Sequence, residues 1–272
     1  MALTEFQRDV CRLLAHNRVA AGEAYFAGGA TLNELIESSR ISRDVDLFHD
    51  TEEALEATWA ADRELLEANH FTVTVIRERP SFVEVQASRD GETLLLQWAR
   101  DSAYRFFPLI EHDELGVVLH PFDLATNKVL ALVGRLEVRD WIDVINCDDA
   151  IQPLGYLAWA ACGKDPGFSP AAILEQAGRS SHYSADEVQE LSFAGEPPDP
   201  GELSRKWHQA LDEAKQVVAL LPAGELGKCA LTPDGELYRG GISELEESLE
   251  RDEVVFHTGS IRGAFPQVLD ER

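Results

Sequence analysis

The chain has 272 residues, 44% of them hydrophobic and 27% charged, enough apolar material for one large or two modest domains. Its 24 basic against 49 acidic residues give a formal net charge of −25, which opposes an extended nucleic-acid-binding face and favours solubility. No apolar run approaches the ~20 residues of a membrane span. The charged amphipathic opening is not a secretory signal, and Cys11, Cys147, Cys162 and Cys229 lie far apart without a Cys-x-x-Cys, so the expected setting is a reducing cytoplasm with no membrane contact, zinc site or disulfide framework.

The first predicted element is a helix from Leu3 to Asn17, with Thr4 and Gln7 as a capping box and Phe6, Val10, Leu13 and Leu14 as its apolar stripe. A strand is expected from Glu23 to Ala27, ending in Gly28-Gly29. Leu32, Leu35 and Ile36 then follow helical spacing. The next strand spans Val45 to His49. Asp50 with Glu53 reads as a capping box for a helix to about Asn69, with Leu55, Trp59, Leu65 and Leu66 inward. Phe71 to Ile76 and Phe82 to Ala87 alternate as strands around Pro80. Arg89-Asp90-Gly91 reads as a hairpin turn into a strand from Glu92 to Ala99, and Val117 to His120 is one more short strand. The pattern is α+β, a mixed sheet with helices on one side.

Asp123 is expected to cap a helix that carries Leu124, Lys128, Ala131, Leu132 and Arg135 at helical spacing. Three short helices are predicted over Pro153 to Gly163, Ser169 to Ala177 and Ser184 to Leu191. Gly195 to Gly201 reads as a linker. Ser204 to Leu221 reads as an amphipathic helix with Trp207 and Leu211 inward, and Pro233-Asp234-Gly235 as a turn. The acid-rich stretch from Glu244 to Glu253 reads as a solvated helix face. Three regions are therefore expected: a palm over 1–122, a helical lobe over 123–194 that completes the active site, and a helix-and-hairpin extension over 201–272.

The informative stretch runs from Tyr25 to Asp50. Asp44 and Asp46 are two apart and read as held side by side at the end of a short strand, so they share one face. Two like charges held side by side are costly unless a cation joins them, and hard divalent ions suit oxygen ligands. Gly28 and Gly29 lack side chains, so backbone N–H groups there can approach a phosphate at a helix N-terminus. Taken singly, an Asp-x-Asp pair is ordinarily a solvated surface pair, and Gly-Gly a plain turn.

The order strand, Gly-Gly, helix, loop, Asp-x-Asp strand resembles the opening of the polymerase-beta-like nucleotidyltransferase superfamily. More closely, it resembles the AbiEii/AbiGii toxin family, in which a GG-x-x-L segment precedes R-x-S-x-D-[IV]-D-L. A second block is similar: Lys128, Ala131 and Arg135, followed by Arg139-Asp140 and Asp143, together with the Lys164 to Phe168 segment. The likeness covers about Leu3 to Leu191. It implies a nucleotidyltransferase palm with a mixed β-sheet flanked by helices, plus a mostly helical C-terminal lobe.

It further implies Asp44 and Asp46 on Mg²⁺ (or Mn²⁺), Lys128 on phosphate, and Asp143 completing the site. Gly28, Gly29, Ser42 and Arg40 would lie around the nucleotide. For Ser42 a loop cap, for Lys128 a snorkelling helix lysine, and for Arg40 a structural ion pair stand as alternatives. Relatives place a third carboxylate on the strand beside the Asp-x-Asp strand. Gln97 stands at about that position, so either Asp101 or Asp143 substitutes, or a second metal is weak, or activity is lost. The implied function is transfer of an NMP from an NTP to a tRNA acceptor by the toxin of a toxin–antitoxin pair, with a separate antitoxin protein as partner. A small-molecule or protein acceptor, which the acidity favours, and a catalytically degenerate nucleotide-binding module, which Gln97 favours, are the alternatives.

Overall fold

The structure is a computed structural model that describes residues 2–21, 24–179 and 183–267. In chain order it runs α1 (Glu5–Ala21), β1 (Ala24–Ala27), α2 (Gly28–Leu35), β2 (Arg40–Ile41), β3 (Asp44–His49), α3 (Glu52–Ala68), β4 (Thr72–Arg79), β5 (Phe82–Arg89) and β6 (Glu92–Arg100). Then come β7 (Tyr104–Arg105), β8 (Ile110–His112), β9 (Gly116–Val118), α4 (Pro121–Arg135), α5 (Val138–Ala150), α6 (Leu154–Lys164), α7 (Pro170–Gly178) and α8 (Ala185–Gln189). The last elements are β10 (Ser192–Phe193), α9 (Pro200–Leu220), β11 (Cys229–Leu231), α10 (Ile242–Glu250), β12 (Val255–His257) and β13 (Ser260–Ile261). The chain divides into two compact units. One holds Met1–Ala103, Leu109–His120 and Ser192–Gly195; the other holds Tyr104–Pro108, Pro121–Leu191 and Glu196–Arg272.

The first unit is built on a seven-stranded sheet among the described residues, ordered β4-β5-β6-β3-β1-β9-β8. It is mixed: β3 runs parallel to β6 and β1 parallel to β9, whereas the other neighbours are antiparallel. Alternation decides which face is core. Val45, Leu47 and His49 of β3 are buried, whereas Asp44, Asp46 and Phe48 are half-buried on the opposite face. The core face carries Val45, Leu47, Val85, Leu96 and Trp98, and α1 and α3 add Val10, Leu14, Leu55, Trp59 and Leu66 to the same cluster. Each such side chain contributes ~1.5–3 kcal/mol by leaving water. The Trp98 indole donates to Asp62 at 2.7 Å, which satisfies the one polar group that its burial would otherwise strand.

In the second unit, α6 and α9 contribute Tyr156, Trp159 and Val217 to a core with Ala230, Tyr238 and Leu245. Gln152 ties the turn after α5 to the Pro233–Gly235 hairpin, donating to the carbonyls of Ala230 at 2.9 Å and Tyr238 at 2.7 Å. No helix among the described residues is long and apolar enough to cross a membrane.

Most predicted elements form, including the Thr4–Gln7 capping box of α1 and the Ser184–Glu187 capping box of α8. Several boundaries differ. Helix α3 begins at Glu52, one residue later than a cap at Asp50 implies, and is capped by Thr51, whose hydroxyl accepts from the Ala54 N–H at 3.1 Å. Asp123 does not cap α4. Pro121 opens that helix, and the Asp123 carboxylate instead accepts from the N–H groups of Phe106 and Phe107 at 2.9 and 3.0 Å and pairs with Lys164 at 2.8 Å. Helix α9 begins at Pro200 with Asp199 as its cap, so the end of the predicted Gly195–Gly201 linker is a helix start. Strand β8 was not predicted; its Ile110-Glu111-His112 run is too short to show alternation.

Candidate active site

The candidate site lies in the first unit, where β1 and β3 run side by side. Their register sets Ala27 opposite Asp46, so the chain leaves β1 at Gly28 directly beside the Asp46 side chain. Gly28 has φ +71°, and a β-carbon there would lie 1.8 Å from Asp46 Oδ2, 2.5 Å from its Cγ and 2.8 Å from its Cβ. The glycine is therefore required twice, for its backbone conformation and for the approach of the acid. Helix α2 starts at Gly28, and Ala27 in the capping position offers no side-chain hydrogen bond to the first turn. The N–H groups of that turn are of the kind that bind anions. Gly29 is buried in the same turn, and its carbonyl accepts from the Asn33 side chain at 2.7 Å.

Asp44 lies two residues before Asp46 on the same face of β3. Its Oδ1 accepts from the Ser42 hydroxyl at 2.8 Å, and Ser42 is itself buried. The loop that holds Ser42 is pinned from α1, because the Gln7 amide donates to the Ser42 carbonyl at 2.7 Å. Gln7 closes the α1 capping box with its oxygen, so its nitrogen is available for this second task. A Glu at that position would have capped α1 and left the Ser42 carbonyl without its donor. The glutamine in the capping box was the one sequence signal for this contact. Arg40 is buried in β2, opposite Phe193 of β10. A cleft of about 550 Å³ opens beside Ser42, lined by Thr4, Gln7, Ser42, Arg43, Gln86 and Thr93 among others.

Across the sheet, Gln97 of β6 lies in register with Asp46, at the position where a third acid was expected. Its amide nitrogen donates to Glu84 Oε1 of β5 at 2.9 Å, and Glu84 is the residue directly opposite it. Glu84 was not singled out from the sequence. Among the described residues no group of three or more His, Cys, Asp and Glu side chains gathers as metal ligands. The half-buried Asp44 and Asp46 carboxylates share one face of β3 and are oxygen donors of the type that suits Mg²⁺ or Mn²⁺, with the neutral Gln97 in register beside Asp46. Asp101, the other acid considered, follows β6; its N–H donates to the His49 carbonyl at 3.0 Å and its carboxylate accepts from the Ser102 N–H.

Lys128 and Asp143 belong to the second unit, on α4 and α5. The structure brings these two together. The Lys128 ammonium lies 3.0 Å from Asp140 and 3.1 Å from Asp143, both carboxylates being fully buried. Asp140 also accepts from Arg135 at 2.9 Å. Two cations thus face two carboxylates. Burial by itself would push the Asp140 carboxyl up, but the Arg135 hydrogen bond and the Lys128 charge outweigh it and hold the carboxyl below its usual range. The Arg-Asp-x-x-Asp block is helical, which places Asp140 and Asp143 on one face towards α4.

No protein-family model matches the chain, and no curated protein matches it in sequence. Solved structures do match in fold. MenT4, a nucleotidyltransferase toxin from Mycobacterium tuberculosis H37Rv, superimposes with a TM-score of 0.53 at 14% identity, over 80% of this chain and 83% of that one. JHP933 from Helicobacter pylori gives a TM-score of 0.53 at 13% identity, over 80% of this chain and 95% of that one. At these identities the likeness is one of fold: the chain has the α+β architecture of a nucleotidyltransferase toxin, with its mixed sheet flanked by helices.

Proposed function

We propose that the protein is a Mg²⁺-dependent nucleotidyltransferase that moves an NMP from an NTP to tRNA in the cytoplasm, as the AbiEii-like toxin of a pair with a separate antitoxin protein. The observation that carries this reading is the meeting of Asp46 with Gly28, the glycine that opens α2, while Ser42 fixes Asp44 on the same face. A fold shared with a nucleotidyltransferase toxin supports it.

Asp44 and Asp46 would hold the divalent ion, which supplies charge neutralisation on the triphosphate. The first turn of α2 offers backbone N–H groups to phosphate oxygens, and Gly28 lets them approach. In the reaction, an acceptor hydroxyl oxygen forms a bond to the α-phosphorus, the bond from that phosphorus to the bridging oxygen breaks, pyrophosphate leaves, and the hydroxyl proton passes to solvent. The chain's task is positioning and electrostatics. The cleft beside Ser42 would receive the acceptor. The roles that the resemblance implies for Lys128 on phosphate, for Asp143, and for Arg40 near the nucleotide belong to the same proposal.

The test is incubation of the purified protein with each α-labelled NTP, Mg²⁺ and total tRNA. Label on RNA that disappears in Asp46→Asn supports the reading. The charge of −25 favours a second reading, in which the acceptor is a protein or small molecule, and label found there would establish it. NTP binding without transfer would leave a degenerate nucleotide-binding module.

A further inference from the structure

The row Glu84, Gln97, Asp46 crosses three adjacent strands on the face that carries the acid pair. Residues in register on neighbouring strands point to the same side, so Gln97 stands between the other two. We infer that Glu84 is a positioning residue, which turns the Gln97 amide so that its oxygen serves as a neutral ligand to the cation held by Asp44 and Asp46. This rests on the function proposed above.

The hydrogen bond fixes the direction of the amide. An ionised carboxylate only accepts, so the edge of Gln97 that lies 2.9 Å from Glu84 Oε1 must be its NH₂ group. The amide is planar, so its oxygen lies on the edge opposite the NH₂ group that meets Glu84, and Asp46 is the neighbour of Gln97 on the other strand. Without Glu84 the amide would be free to turn over and offer its NH₂ to the cation, which repels it. A side chain that orients a ligand in this way commonly governs metal affinity as strongly as a weak ligand does. The arrangement also accounts for a glutamine at a position where an acid would serve. A carboxylate at 97 would face the Glu84 carboxylate directly across the strand pair, and like charges placed so are destabilising. An acid at 97 is disfavoured beside Glu84, whereas Glu84 and Gln97 form a hydrogen-bonded pair.

The test uses the full chain and Mn²⁺ alone as probe, with free Mn²⁺ read by electron paramagnetic resonance and folding checked by circular dichroism. Glu84→Ala weakens Mn²⁺ binding roughly tenfold, as does Gln97→Ala. Glu84→Gln, which loses the charge but keeps an acceptor oxygen for the amide, stays within about twofold of wild type. The double variant E84A/Q97A binds no more weakly than Q97A, because the first residue acts through the second. Should Glu84→Ala fail to fold, Glu84→Thr keeps a strand-forming side chain too short to reach the amide and carries the same expectation. Glu84→Ala (or Glu84→Thr) binding like wild type, or Glu84→Gln falling as far as Glu84→Ala, overturns the inference. If wild type binds no Mn²⁺, or Asp46→Ala binds it as well as wild type does, the acid-pair reading falls and takes this inference with it. If Asp46→Ala abolishes binding while Glu84→Ala leaves it intact, only this inference is lost.

Discussion

Replacing Gly28 by alanine tests the geometry at its tightest point. The native φ of +71° lies in the left-handed region, where an L side chain costs ~1–2 kcal/mol. The new methyl would then meet three atoms of Asp46. Oδ2 and Cγ, at 1.8 and 2.5 Å, can swing away by rotation about the Asp46 Cα–Cβ bond. The Asp46 Cβ at 2.8 Å cannot, because it is fixed to the backbone of β3, a strand paired on both sides. Relieving that contact shifts β1 against β3, an overpacking cost of ~1–3 kcal/mol. The sum is ~2–5 kcal/mol, a fall in Tm of roughly 4–10 °C. Gly91 provides the control. Its φ is +86°, but a β-carbon there meets nothing within 4 Å, so Gly91→Ala shows the conformational cost alone, a fall of roughly 2–4 °C. Thermal denaturation gives both numbers, and Mn²⁺ titration gives the second half of the expectation. In Gly28→Ala the displaced carboxylate weakens the metal roughly tenfold or more, while Gly91→Ala binds it normally. Equal Tm losses in the two variants, with Mn²⁺ affinity intact in both, would refute the proposed packing of Gly28 on Asp46.

Asp44→Ala is expected to lower nucleotidyl transfer by about a hundredfold or more while leaving the circular dichroism spectrum unchanged, since it removes ~3 kcal/mol of transition-state stabilisation at a half-buried position outside the core face; wild-type turnover in this variant would remove the site. Lys128→Met removes the ammonium that Asp140 and Asp143 share and leaves Arg135 on Asp140, a loss of ~3–5 kcal/mol from breaking a buried ion pair that thermal denaturation reads as roughly 6 °C or more; a shift under 1 °C would show that the cluster is not structural. The pH dependence of stability follows from Asp140. Its folded carboxyl sits below the unfolded value of ~3.9, so it contributes stability above that pH and loses it as the pH falls through the folded value. Asp140→Asn should therefore be less stable at pH 7 yet show a shallower decline below about pH 4 in urea titrations; an unaltered acid slope would contradict the assignment.

The parts of the site that were legible in the sequence are those fixed by local geometry. Asp44 and Asp46 share a face of β3 because a strand has a period of two, whatever surrounds it. Gly28 was legible because few residues but glycine end a buried strand and open a helix. What was not legible depends on which of two neighbouring groups wins a contact. Thr51 and Asp50 are adjacent and both good caps, and the Thr51 hydroxyl takes the Ala54 N–H. Asp123 looks like a cap until Pro121 opens the helix first and the carboxylate is drawn to Lys164.

Glu84 belongs to a third kind, since a local turn alone determines which residue it faces. Asp90-Gly91 makes a two-residue turn, with both residues at positive φ, and such a turn sets Arg89 opposite Glu92. Counting back along both strands from that pair leads, without further information, to Glu84 opposite Gln97. The step from Gln97 to Asp46 is different in kind. It crosses a parallel pair, whose register no tight turn dictates and which depends on how α3 and the β4–β5 hairpin return the chain to the sheet. The hairpin half of the row is thus local and the parallel half global. The local half alone makes glutamine the better residue at 97: β5 and β6 pair through their own turn, and a second acid there would face the Glu84 charge directly across that pair.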